Sequence, residues 1–448
     1  MNIKPEIFRE YDVRGVYPEE INEDVAYRIG AAFAEYLSQN QLFGEVVLGR
    51  DARLSSPALY DAAKNAILDQ GRDVIEVGLV TTPLFYFSVA KPQAAGGLVI
   101  TASHNPPQYN GIKFVKKEAR PVSFSGGIEV IRELAIKGLP RKISPGRSTI
   151  KDFSADYLED LTKRAVIGKT LRVCADGSNG AGGPLLERLF NKLNITFGSL
   201  NFEPNGNFPG HSPNPALPEA LSDLQAQIKN GGFDIGLILD ADGDRVVFID
   251  EEGRVARSDI VAAWLADHLI EKGDNMILDY RSSKVVWEIV RKKEGKTILS
   301  KAGHTNIKRV MRENNAKFGA ELSGHFYFKD FYFADSALMA VVHVLSYLSQ
   351  TNKPFSEIIA PYQKYFHSGE INFEIKDGGK IIAKIQEDYS SGEQVFRDGL
   401  TVYFSDWWFN LRSSNTEPLL RLVVEANSKE SMEEKRDELI AKIKALSN

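Results

Sequence analysis

Gly96-Gly97-Leu98-Val99-Ile100-Thr101-Ala102-Ser103-His104-Asn105-Pro106 is the stretch from which the rest of this 448-residue chain can be read. Its apolar, largely β-branched run describes a buried strand, and the small polar turn that follows is closed by Pro106 and Pro107. Such a strand carries the Ser103 hydroxyl to the lip of a sheet. His104 and Asn105 can orient it, and the two prolines stiffen the exit of the loop. A lone Ser-His pair is ordinarily a surface turn. Three further polar loops that can face the same point change that reading.

Around this strand the chain alternates. A helix is expected over 24–40, a strand over Glu45–Gly49, a polar loop from Arg50 to Ser56, a helix from Pro57, and a strand near Val74 to Val77. The order returns from Leu171, with the loop Asp176-Gly177-Ser178-Asn179-Gly180 and a strand over Phe233–Leu239 that ends at Asp240. It returns again from Asn275, with the turn Arg281-Ser282-Ser283 and a strand over Ala316–Ala320 that ends at Glu321. Strands alternating with helices imply parallel-rich mixed sheets whose ligand sites lie beyond the strand ends. After about residue 350 the texture changes to the apolar-polar alternation of half-exposed antiparallel strands. The expected fold is therefore three similar α/β domains, over residues 1–145, 146–250 and 251–362, plus a smaller C-terminal α+β domain over 363–448.

Composition narrows the function. A formal net charge of −5 argues against a general nucleic-acid binder, which needs a basic face. No stretch approaches membrane-spanning length, and the first residues lack the apolar run of a secretion signal, so a cytoplasmic location is expected. The single cysteine, Cys174, lies in an apolar strand and reads as a core residue. His343 lies in the apolar run Val341-Val342-His343-Val344 and reads as a core or boundary histidine.

Asp240-Ala241-Asp242-Gly243-Asp244-Arg245 is the strongest local signal. Alternating carboxylates on a glycine-turned loop bring hard oxygen ligands around one small divalent cation, and magnesium keeps positions open for a phosphate oxygen. The glutamate an EF-hand would need is replaced by the strand Val246-Val247-Phe248-Ile249. Arg412-Ser413-Ser414-Asn415-Thr416-Glu417-Pro418 combines a cationic fork with hydroxyls in a tight turn, the makings of a phosphate cradle. Glu321-Leu322-Ser323-Gly324-His325 offers an acceptor and a donor two residues apart, on one side if extended, as adjacent sugar hydroxyls require. Arg14, Lys113 and His304 stand beside predicted loops and, singly, read as surface charges.

Together these four loops resemble, in order and spacing along the whole chain, the α-D-phosphohexomutase superfamily of phosphomannomutase/phosphoglucomutase type. The resemblance implies an isomerase that interconverts hexose 1-phosphate and hexose 6-phosphate, of mannose or glucose, through a phosphoserine and a bisphosphorylated hexose. It implies that Ser103 carries the phosphoryl group and joins Asp240, Asp242 and Asp244 around one magnesium ion per chain, with Arg245 beside them. Glu321 and Ser323 would grip the sugar, with His325 nearby, and Arg412, Ser414, Asn415 and Thr416 would hold the phosphate not being transferred. Arg14, Lys113 and His304 would line the cleft, Arg14 and Lys113 being candidates for proton transfer. The partner expected is a small sugar phosphate, for a monomer or homodimer with neither nucleic acid nor membrane. Competing readings are a phosphoglucosamine mutase of the same superfamily, a metal-dependent sugar phosphatase, and a silent sugar-phosphate sensor. Ala320 departs from the glycine frequent in the family.

Overall fold

The computed structural model of the protein describes residues 3–142, 144–375, 378–414 and 419–447. Two compact units emerge, Met1–Arg257 with Ser323–Ser356, and Ser258–Leu322 with Glu357–Asn448.

In the first unit, Val46–Arg50 lies between Gly96–Ile100 and Val74–Leu79 and runs parallel to both. A second sheet repeats the plan, with Arg172–Asp176 central between Ile235–Leu239 and Thr196–Leu200. In both sheets the third strand of the copy then gains an antiparallel neighbour, Tyr109–Lys116 on Gly96–Ile100 and Val246–Asp250 on Ile235–Leu239. The short edge strand Val13–Val16 pairs in turn with Tyr109–Lys116 and sets Arg14 opposite Gly111. In the second unit Asn275–Asp279 is central between Lys296–Ser300 and Phe318–Ala320. The repeat read from the sequence is thus a repeat of topology, in which the first strand of each copy always takes the middle.

One turn device closes that middle strand each time. Asp51, Asp176 and Asp279 stand at or just beyond its carboxyl end. Each accepts the backbone N–H two residues on, from Arg53 at 3.0 Å, Ser178 at 2.7 Å and Arg281 at 3.0 Å. An aspartate that satisfies its own chain in this way turns a strand sharply with no help from the rest of the fold.

The C-terminal part of the second unit is wholly antiparallel. Leu419–Ala426 pairs with Trp407–Ser413, Ile371–Glu374 and Phe366–His367, and Leu400–Tyr403 links Trp407–Ser413 to Glu393–Val395. Helices Gly379–Asp388 and Lys429–Ser447 cover one face, packing Ile385, Leu439 and Ile443 against Leu411, Leu422 and Val424.

The strand carrying the serine loop is buried along its whole length. A Cβ on Gly97 would lie 2.6 Å from Val47 O and 2.9 Å from Phe85 and Val89, so only glycine lets the helix Thr82–Ala90 and the neighbouring strand approach this closely. Leu98 projects into a core with Phe33, Leu37, Leu48 and Ile67. Among the described residues no helix is long and apolar enough to cross a membrane. Leu98→Ala is expected to destabilise the first unit by about 3 kcal/mol, the order of a buried leucine truncation, read as a lower urea midpoint of that unit's transition with unchanged slope.

Candidate active site

Two loops of the first unit, each following the third strand of its copy, meet at a buried cluster of charge. Ser103 sits in the turn after Gly96–Ile100 with φ of +49°, a left-handed conformation uncommon for a side chain with a Cβ. Its N–H donates to Thr101 Oγ1 at 2.9 Å, and its hydroxyl donates to Asp240 Oδ2 at 3.1 Å. His104 Nδ1 is 3.3 Å from the same hydroxyl.

Asp240, Asp242 and Asp244 are each at most 1 % exposed. Gly243, at φ of +65°, makes the turn that brings them together; a Cβ there would also press on Thr81 at 2.9 Å. Asp240 Oδ1 accepts the N–H groups of Asp244 and Arg245 at 3.1 and 3.2 Å. Asp242 Oδ2 accepts from Thr82 Oγ1 at 2.6 Å, and its backbone carbonyl accepts from Thr82 N. Lys113, far from being a surface charge, is 4 % exposed and donates 2.7 Å hydrogen bonds to Asp242 Oδ2 and Asp244 Oδ2. It comes from Tyr109–Lys116, whose pairing with Gly96–Ile100 places it opposite Val99.

The charges are not balanced. Burial, then the neighbouring Asp244 and Asp242, push the Asp240 carboxyl well above its usual range. Burial opposes ionisation of Asp244 too, but Lys113 and His325 hold it well below that range. Burial would also lower Lys113, yet Asp242 and Asp244 raise it. The Lys113 ammonium and, at the edge of ion-pair range, the Arg245 guanidinium face three carboxylates, and carboxylate atoms of all three lie within 4.8 Å of one another. Asp242 Oδ1 is buried without a hydrogen-bond partner among the described residues. An all-oxygen donor set with excess negative charge and an orphaned buried carboxylate oxygen fits a small hard divalent cation.

Further groups of this unit surround the cluster. His325 Nε2 lies 3.2 Å from Asp244 Oδ1 and 3.7 Å from Asp335 Oδ2, and its Nδ1 lies 3.1 Å from Ser323 Oγ. Arg245 and His325 form a β-bridge, and Val246 N donates to Gly324 O. The loop bearing Ser323 turns at residues 322–323, so the condition under which Glu321 and Ser323 would project on one side, an extended segment, is not met. Arg245 Nε is 3.8 Å from Asp240 Oδ2. Arg14 is half-buried, clamped by Asp12 and by a 2.7 Å bond to Asn105 Oδ1 in the serine loop, and its Nε has no hydrogen-bond partner among the described residues.

The second unit gathers the remaining candidates. Glu321, following Phe318–Ala320, accepts from Gly303 N at 2.6 Å. His304 opens the next helix, His304–Glu313, and its Nδ1 lies 3.4 Å from Lys308 Nζ. Arg412 lies directly across the strand pair from Arg421, an arrangement that repels. Glu370 resolves it, with Oε2 at 3.1 Å from Arg412, Oε1 at 3.4 Å from Arg421, and Oε2 also at 2.8 Å from Arg281. Arg412 is 4 % exposed and its Nε is without a partner among the described residues. Ser414 N bonds Leu419 O at 2.7 Å. Asn415 and Thr416 lie outside the described residues. His343, expected to be a core or boundary histidine, is partly buried and stacks between Phe328 and Tyr347.

Arg281, Glu370, Arg421 and Thr82 were not anticipated as part of these clusters. For Arg281 a signal existed, since it repeats the place of Arg53 in the first copy. For Glu370 and Arg421 the signal is strand register, which no local motif carries.

Comparison with known proteins gives this architecture a family. Descriptions of phosphoglucomutase/phosphomannomutase α/β/α domains I, II and III match residues 5–135, 155–253 and 257–365, and that of the C-terminal domain matches 370–442. A relative from Xanthomonas campestris pv. campestris named phosphohexose mutases is 38 % identical, over 97 % of this chain and 98 % of its own. A phosphomannomutase from Methanocaldococcus jannaschii is 36 % identical over 98 % of each chain. The crystal structure of a phosphoglucomutase/phosphomannomutase family protein from Burkholderia thailandensis superimposes with a TM-score of 0.91 at 31 % identity, covering 99 % of this chain and 98 % of that one. The chain therefore belongs to the phosphoglucomutase/phosphomannomutase family, within the phosphohexomutases. It is an enzyme of the isomerase class, and a sugar phosphate is the substrate that its family implies.

Glu370 supplies a test of the second cluster. Burial would raise its carboxyl, but the guanidinium groups of Arg281, Arg412 and Arg421 bring it down to about 2. Its folded value lies below the unfolded value of about 4.3, so its contribution is present above about pH 4 and is lost as pH falls toward 2. Glu370→Gln is expected to cost about 3 kcal/mol at pH 7, with the gap from the parent protein closing between pH 4 and pH 2 in urea titrations at stepped pH.

Proposed function

We propose that this phosphohexomutase interconverts the 1-phosphate and 6-phosphate of mannose, glucose or both, through a phosphoserine at Ser103 and a bisphosphorylated hexose. The observation that carries the reading is the 3.1 Å contact between the Ser103 hydroxyl and Asp240 in the buried three-aspartate cluster. Asp240, Asp242 and Asp244 would hold one magnesium ion per chain, together with an oxygen on Ser103. That ion, when bound, neutralises charge on the phosphoryl group as it is transferred.

The chain's own residues account for the rest. Phosphoserine at 103 donates its phosphoryl group to the free hydroxyl of a hexose monophosphate. The bisphosphate turns over, and its other phosphate returns to Ser103. Arg14, Lys113 and Arg245 supply positive charge beside Ser103. Lys113 is already an ammonium donating to Asp242 and Asp244, and Arg14 is a guanidinium, so of the candidates for proton transfer the His325 imidazole is the one that can accept the proton of the sugar hydroxyl. Glu321, Ser323 and His304 orient the sugar. Arg412, Ser414, Asn415 and Thr416 hold the phosphate that is not transferred, and Arg412 Nε, without a partner among the described residues, is a donor for it. Arg281 joins Arg412 by sharing Glu370 with it. Exclusion of water protects the phosphoserine. A cytoplasmic enzyme, monomeric or homodimeric, suits a small phosphorylated substrate.

Purified protein given magnesium, a trace of glucose 1,6-bisphosphate, and mannose 1-phosphate or glucose 1-phosphate is expected to form the 6-phosphates. Ser103→Ala should lose at least about a thousandfold in kcat, and chelation of the metal should abolish turnover reversibly. Conversion of glucosamine 6-phosphate alone would assign the sister branch instead. Phosphate release without isomerisation, or a Ser103→Ala variant of full activity, would overturn the phosphoserine route.

A further inference from the structure

Arg53 lies outside every loop that the proposed chemistry uses, yet it is fully buried directly beneath the serine loop. Its guanidinium has five N–H donors, and the structure uses them all. Nε donates to Asp51 Oδ2 at 3.0 Å. One terminal nitrogen donates to Pro106 O at 2.7 Å and Tyr109 O at 3.0 Å, the other to Ser103 O at 2.7 Å and Asn105 O at 2.6 Å. Four carbonyls of one loop are thus fixed from a single rigid plane, a span that no point-like ammonium can cover. Among them is the carbonyl of Ser103, the residue held at φ of +49°.

The guanidinium is also sealed. The ring of Phe208, from the second copy, lies 5.1 Å from its Cζ. Gly206 is seated so closely that a Cβ would come 2.5 Å from Leu54 N. No water reaches Arg53 to compete for the loop carbonyls.

The internal repeat shows that the turn does not itself need an arginine. Asp176 closes the same turn in the second copy around Ser178. In the third copy Arg281 keeps the bond to Asp279 through Nε, but directs a terminal nitrogen to Glu370. The part of Arg53 that differs between copies is the part that grips the serine loop.

We infer that Arg53 is a positioning residue for Ser103, setting the backbone that aims its oxygen at the acidic cluster. The inference rests on the phosphoserine reading above. In the loading step the bond between Ser103 Oγ and phosphorus forms as a sugar O–P bond of glucose 1,6-bisphosphate breaks. The serine proton passes to the sugar oxygen, and a hexose monophosphate leaves. A loop displaced by about an ångström loses alignment for that transfer, while the sugar and phosphate contacts of other loops remain.

The test measures the rate of Ser103 phosphorylation by glucose 1,6-bisphosphate, from intact mass against time, beside kcat and KM for glucose 1-phosphate. Arg53→Lys is expected to lower the phosphorylation rate and kcat together by about a hundredfold, with KM within about twofold of the parent. Asp51→Asn, which removes the acceptor of Arg53 Nε, serves where Arg53→Lys yields no folded protein, with the same pattern expected. Parent-like phosphorylation in the folded variant, or a rise in KM that accounts for the whole loss, would overturn the assignment. Ser103→Ala run in parallel separates the two claims. If it is inactive while Arg53→Lys is fully active, only the role of Arg53 falls. If it is active, the phosphoserine reading falls first.

Discussion

Burying three carboxylates with oxygens within 4.8 Å of one another is the constraint that organises the first unit. Such a cluster is tolerable only if counter-charge and donors converge on it from several directions. The structure supplies them from different elements: Lys113 from an antiparallel strand, Thr82 from a helix start, the amides of Asp244 and Arg245 from the loop itself. The supply stops short of neutrality, with Asp240 pushed toward its protonated form. That deficit of positive charge lies beside a hydroxyl, that of Ser103, which donates to Asp240 at 3.1 Å.

The second unit solves the opposite problem. Arg412 and Arg421 face each other across paired strands, and Arg281 joins them. One carboxylate, Glu370, touches all three, and among the described residues Arg412 Nε has no hydrogen-bond partner. One unit thus concentrates negative charge and the other guanidinium groups, each around a buried cluster.

Much of this was legible before any coordinates. Strand-loop-helix alternation marked the three copies, and the glycine-turned aspartates announced themselves by spacing alone. Ser103 was readable because an apolar run stopped abruptly at polar residues. What escaped was whatever depends on pairing register. Val13–Val16 is too short to show a period, so the burial of Arg14 beside the serine loop could not be foreseen. Lys113 read as a surface charge because it stands beside a predicted loop, and its place in the sheet, opposite Val99, is what local sequence does not carry. Glu370 belongs to no motif; its meaning comes from two arginines that the sheet, not the sequence, sets face to face. Whether the loop at Glu321 runs extended was equally out of reach of its spacing; it turns, and Leu322 N donates to Asp279.

The aspartate turn that ends each middle strand has a bearing on how such a chain can change. Because the carboxylate satisfies the amide two positions ahead, the bend is complete within a few residues and asks nothing of the side chain it presents. The side chain it presents differs in each copy: Arg53 braces a neighbouring loop, Ser178 bonds the carbonyl of Leu239 in an adjoining strand, and Arg281 reaches out to a distant carboxylate. Innovation in this architecture is cheapest at a site where folding has already been secured locally.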